Sequence, residues 1–99
     1  MKRERLTNPR ISAATCPEGK GQAFIWDTDA PRLAVRITAA GAKSFIFEAK
    51  LHRQTVRQTI GDVRAWSIES ARAEARRLQT LVDQGIDPRQ ERAEKLAII

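Results

Sequence analysis

A chain of 99 residues with 18 Lys and Arg against 12 Asp and Glu is a single basic domain with at most a short tail. It holds no apolar run long enough to cross a bilayer, and the polar start MKRERLTNPR excludes a signal peptide. Cys16 stands alone, which excludes a disulfide framework or a thiolate metal cluster and fits a reduced, cytosolic setting.

The opening residues mix charges with an apolar spacing at Leu6, Ile11 and Ala14, and Asn8-Pro9 suits the start of a short helix. PEGKGQ at 17–22 is a turn punctuated by Pro and Gly. AFIWD at 23–27 is a candidate for an extra short strand, and Pro31 ends the loop that follows. RLAVRIT at 32–38 alternates, with Leu33, Val35 and Ile37 on one side and Arg32, Ala34, Arg36 and Thr38 on the other. AAGAK forms a turn in which Gly41 is free to take positive φ. SFIFEAKL at 44–51 sets Phe45, Phe47, Ala49 and Leu51 against Ser44, Ile46, Glu48 and Lys50. A turn over 52–54 leads to a third strand stopped by Gly61. Only Val56 and Ile60 make its apolar side; Arg53, Thr55, Arg57 and Thr59 point the other way.

Ser67 is a natural N-cap, and Glu69 places a negative charge in the first turn of the helix that follows. Ile68, Ala71, Ala75, Leu78 and Val82 recur at three- and four-residue spacing, which predicts one helix, 67–84, with one apolar stripe ended by Gly85. Asp87 and Pro88 restart a helix through RQERAEKLAII. The expected division is a folded unit, 1–85, and a helical stretch, 86–99, with the look of a linker toward a region that is missing.

The expected fold is α+β: a three-stranded antiparallel sheet packed on one face by a C-terminal helix, with a short N-terminal helix besides. Helix 67–84 lies across Leu33, Val35, Ile37, Phe45, Phe47, Val56 and Ile60. The other sheet face stays uncovered and carries Arg36, Thr38, Ser44, Lys50, Arg53, Thr55, Arg57 and Thr59. Residues 32–60 hold six cations against the single acid Glu48, so the excess charge sits in the sheet, a footprint for a polyanion.

Catalysis finds little support in the residues. The chain has no Tyr, one His and one Cys, and its GKG at 19–21 lacks the spacing of a phosphate-binding loop. His52 belongs in a hairpin turn, Cys16 fills space near the first helix, and Trp26 and Trp66 suit the junction of sheet and helix. A narrow β-ribbon, by contrast, fits the major groove of B-DNA. Arg reads guanine, Gln reads adenine and Thr serves bases or phosphates, and RQTVRQT supplies all three types. Lys43 and Lys50 suit phosphates on the flanks. The alternatives are a hairpin kept soluble by its charges and a surface for double-stranded RNA.

Three ordered segments carry a family resemblance. WDTDAPRLAVRITAAGAKSF resembles W-D-x-x-x-x-G-L-x-V-x-x-x-G-x-K-S-F, TIGDVRAWSIESARAEARRL resembles L-G-x-x-P-x-x-S-L-x-x-A-R, and QGIDPRQER resembles x-G-x-D-P. Together they resemble the N-terminal arm-type DNA-binding domain of phage and genomic-island tyrosine recombinases, over roughly residues 6–92. Arg64 stands where that family has Pro, Arg32 where Gly is common, Gln58 where a residue is apolar, and Glu48 where a base is frequent.

The resemblance implies double-stranded DNA at arm-type sites as the partner, with other integrase protomers and accessory DNA-bending proteins in the same assembly. It implies no cofactor, no metal and no membrane, and a bacterial, cytoplasmic setting. It implies no catalysis either, since the catalytic domain and its nucleophilic Tyr would lie beyond this chain. The DNA-binding residues expected are Arg36, Thr38, Lys43, Ser44, Lys50, Arg53, Thr55, Arg57 and Thr59. A protein-interaction module acting through helix 67–84 and the tail is the alternative.

Overall fold

The computed structural model describes residues 3–90, so most of the expected linker helix lies outside the described residues. In chain order the elements are β1 (Arg3–Glu4), α1 (Asn8–Ala13), β2 (Gln22–Asp27), β3 (Leu33–Thr38), β4 (Lys43–Leu51), β5 (Gln54–Asp62) and α2 (Ile68–Asp83). They build one sheet in the order β1-β2-β3-β4-β5, antiparallel except for the parallel β1–β2 pair.

The sheet is larger than the three strands expected. AFIWD is a full member, pairing with β3 through Ala23–Ile37, Ile25–Val35 and Trp26–Ala34. Its outer edge takes the two-residue strand β1, so four antiparallel strands and a short parallel one replace the meander of three. The physical reason is that β2 has large side chains on both faces and a ready partner in β3 from Gln22 to Trp26.

α2 packs on β4 and β3. Its buried residues Ala71, Ala75, Leu78 and Val82 are the stripe read from the sequence, set against Leu33, Val35, Ile37, Phe45, Phe47 and Ala49. Small residues at 71 and 75 let the helix approach the two Phe rings closely, as dense packing requires. The Ser67 hydroxyl oxygen accepts from the Ser70 N–H at 3.0 Å and caps the N-terminus. At the other end the Ile86 N–H donates to the Leu81 carbonyl and the Gly85 N–H to that of Val82. With Gly85 at φ +79°, this is a Schellman stop.

α1 is capped by Thr7, whose Oγ1 accepts from the Arg10 N–H at 3.3 Å. Leu6 just before the cap and Ile11 in the helix are both buried in the core and staple α1 to it. Cys16 is half-buried against the same core.

The β4–β5 hairpin closes through two residues, His52 at φ +51° and Arg53 at φ +69°, between the partners Leu51 and Gln54. Positive φ at both centres is the pattern of a type I′ turn, whose twist matches that of the strands. Further along, Phe45 pairs with Gly61 and Ile46 with Thr59, leaving Ile60 as the extra residue of a β-bulge. β5 therefore runs on to Asp62 instead of ending at Gly61. After Gly85 the chain is helical again at 88–90, with Asp87 Oδ1 accepting from the Arg89 N–H at 2.9 Å.

Candidate nucleic-acid interface

The face of the sheet turned away from α2 is set by strand alternation and register. Phe24, Arg36, Ser44 and Asp62 form one row across four strands; Trp26, Ala34, Ile46 and Thr59 form the next. Glu48 and Arg57 follow, then Lys50 and Thr55, with Arg53 at the hairpin tip. Arg36, Ser44, Lys50, Thr55, Arg57 and Thr59 thus share this open face, and Thr38 stands at its end.

The centre of that face is closed by its own side chains. Ala34 and Ile46 are both 0 % exposed although no helix covers them. The Arg57 guanidinium carbon lies 4.8 Å from the centroid of Phe24, so the side chain reaches from β5 to β2 across the intervening strands. Phe24 in turn stacks beside Trp26, with centroids 6.3 Å apart and planes 26° from parallel. Trp26 is therefore on the open face and not at the sheet–helix junction expected for it. It follows from alternation, because Ile25 and Asp27 on either side point toward the helix. Trp66 does pack against the core.

Arg57 is also held by Glu48. Its Nε and Nη2 both donate to Oε2 of Glu48, at 2.8 and 2.6 Å. The acid that breaks the one-signed charge of residues 32–60 is thus the partner of the central arginine. Arg36, Lys50 and Arg53 have no ion-pair partner among the described residues. A shallow cleft of about 180 Å³ between Trp26, Arg32, Glu48, Lys50 and Thr55 lies beside the aromatic pair.

Two candidates have local structural duties. The Thr38 hydroxyl oxygen accepts from the Ala42 N–H at 3.1 Å and shapes the β3–β4 turn. Lys43 pairs with Ile37 and so lies on the side of α2, where its Nζ donates to the carbonyls of Ile11 at 2.7 Å and Ser12 at 3.0 Å. A cation at the end of α1 satisfies carbonyls with no helical partner. Lys43 is separated from the other candidates by the thickness of the sheet, and its shared parity with Phe45 and Phe47 is the signal that places it there. At the far end of the open face, hydrogen bonds from Arg64 hold the Asp62 carboxyl below its usual value.

Beneath the sheet the motif residues meet. Gly61 lies under the Trp66 indole, and a Cβ there would fall 2.6 Å from Cδ1 of that ring. Asp27 is 0 % exposed and receives Nε of Arg72 at 2.7 Å and Nη2 at 3.1 Å. It also accepts the N–H groups of Leu6 at 3.1 Å and Ala30 at 3.2 Å. Burial raises its pKa, but the Arg72 and backbone hydrogen bonds outweigh that and hold it below the ordinary value.

The sequence is similar to that of a known protein and matches a family model. The prophage integrase IntF of Escherichia coli (strain K12) is 50 % identical over 97 residues, which is 98 % of this chain and 21 % of that protein. The chain thus spans about a fifth of the curated relative it matches. A family model described as an arm DNA-binding domain matches residues 6–95, nearly the whole chain, and to that family the chain belongs.

Proposed function

We propose that the chain binds double-stranded DNA through the open face, with the β4–β5 hairpin entering the major groove. In that role it recognises arm-type sites and positions a site-specific recombinase for integration and excision. The observation that carries this reading is the clustering of Arg36, Lys50, Thr55 and Arg57 on the one sheet face that α2 leaves uncovered, with Arg53 at the adjoining hairpin tip. A two-stranded ribbon fits the major groove, whose base edges offer a full donor and acceptor code. Arg57 and Thr55 lie toward base edges and Lys50 and Arg53 toward phosphates, which fix register without reading sequence. Ser44, Thr38 and Thr59 flank them.

Fluorescence anisotropy over a salt series tests it, with duplexes carrying candidate arm repeats, a scrambled duplex and an RNA duplex. Preference for an arm repeat with a steep inverse salt dependence is expected. Equal weak binding to all three would overturn the specific reading. Chemical-shift changes confined to α2 would favour a protein partner instead.

A further inference from the structure

The acid on the open face needs a reason. Glu48 is the one negative charge among residues 32–60, and on a DNA-facing surface it would repel phosphate. A solvent-exposed ion pair adds little to stability, and the Arg57 side chain is 41 % exposed. Its geometry suggests a use. The Nε and Nη2 contacts occupy one edge of the guanidinium, and Phe24 lies against its face. Of the five N–H donors of an arginine, those on Nη1 and the second on Nη2 make no hydrogen bond to the described residues. Those donors form the other edge, the one suited to the two acceptors of guanine.

We infer that Glu48 and Phe24 are positioning residues that hold Arg57 as a preformed guanine reader, Glu48 taking one edge of the guanidinium and leaving the other for base O6 and N7. This rests on the sheet-face reading given above. A long arginine side chain free in water would have to be frozen on binding, whereas one already clamped loses less freedom. The clamp also discriminates. With Nε and Nη2 committed, the arginine cannot swing freely to a nearby phosphate, so its contribution is confined to one base pair. The Glu48 backbone N–H donates to the Arg32 carbonyl at 3.0 Å, just past the last β3–β4 pair, which ties the clamp to β3 as well as to β5.

The test is selection from a randomised duplex pool by the full chain, followed by anisotropy titration of the recovered site and its single-base-pair variants. Wild type, Glu48→Gln and Arg57→Ala are compared, with circular dichroism confirming that each is folded. Wild type is expected to favour one G·C pair about tenfold over its replacements, and Arg57→Ala to lose that preference. Glu48→Gln is expected to lose most of the preference at the same pair while binding scrambled duplex as well as wild type or better. A merely structural Glu48 would not move discrimination at a single pair. If Glu48→Gln keeps the full preference that Arg57→Ala loses, the positioning role is overturned while groove binding stands. If Arg57→Ala also keeps it, Arg57 is not the reader and the inference falls. If wild type enriches no sequence, the sheet-face reading fails and takes this inference with it.

Discussion

Asp27 and Arg72, forty-five residues apart, form a buried ion pair that joins β2 to α2 and, through Leu6 and Ala30, ties in the N-terminal segment and the loop before β3. Arg72 Nη2 also donates to the Leu6 carbonyl at 3.1 Å, so both charges have several partners. Breaking such a pair from one side leaves an uncompensated charge in the interior, which costs about 3–5 kcal/mol. Arg72→Leu should therefore lower stability by roughly that amount in urea denaturation. A change under about 1 kcal/mol would mean that water reaches Asp27 readily.

The same pair sets an acid limit. The folded-state pKa of Asp27 lies below its ordinary 3.8, so its contribution is present above that value and is lost as pH falls through the folded value. The stability difference between wild type and Asp27→Asn should be constant near neutrality and shrink once the pH drops below about 4. Urea midpoints measured along a pH series check this. A difference that does not change with pH would rule out the contribution.

Gly61 tests the seat of Trp66. Its backbone needs no glycine conformation, so the penalty for Gly61→Ala comes from the indole it would displace. Overpacking of this kind costs about 1–3 kcal/mol. In a Trp26→Phe background, the emission of Trp66 should shift to the red as the ring is pushed toward water.

The hairpin tip couples stability and binding in opposite directions. Left-handed backbone costs a non-glycine residue roughly 1–2 kcal/mol, and Arg53 adopts it at φ +69°. Arg53→Gly should raise the melting temperature, consistent with about 1 kcal/mol. It should also lower the slope of log affinity against log salt by about one phosphate contact. Higher stability with an unchanged salt slope would place Arg53 off the DNA.

Lys43 and Lys50, seven residues apart in sequence, should behave differently. Lys50→Ala, on the open face, should reduce the salt slope by about one, whereas Lys43→Met should leave it unchanged. Lys43→Met should instead destabilise the docking of α1 by about 1 kcal/mol, since two carbonyls lose their donor. Hydrogen exchange at Ile11 and Ser12 reads that loss locally.

Much of this fold is legible in local pattern. Alternation at 33–37 and 45–49, the stripe of α2, the Ser67 cap and the Gly85 stop all depend on neighbours in sequence, and each appears where periodicity puts it. β1 has no such pattern: two residues are held in place by pairing with β2. The Asp27–Arg72 pair is equally silent, because nothing local tells an aspartate at a strand end which distant arginine it will meet. Glu48–Arg57 was within reach. A two-residue turn at 52–53 makes Leu51 and Gln54 partners and so sets Glu48 opposite Arg57, but a three-residue turn moves every pairing by one. What hid it was the rarity of positive φ at His52 and Arg53, neither of them a glycine.

The extra residue at Ile60 divides β5 into two segments with separate duties. Before it, Thr55 and Arg57 face outward; after it, the alternation has changed phase, and Gly61 turns inward beneath Trp66. Without that change, Gly61 would face outward and the indole would lose its seat. On the proposed reading, the outward half can therefore accept different side chains, and with them different duplex sequences, while the inward half keeps the seat of Trp66. A single inserted residue separates the face the strand leaves open from the face that seats the indole.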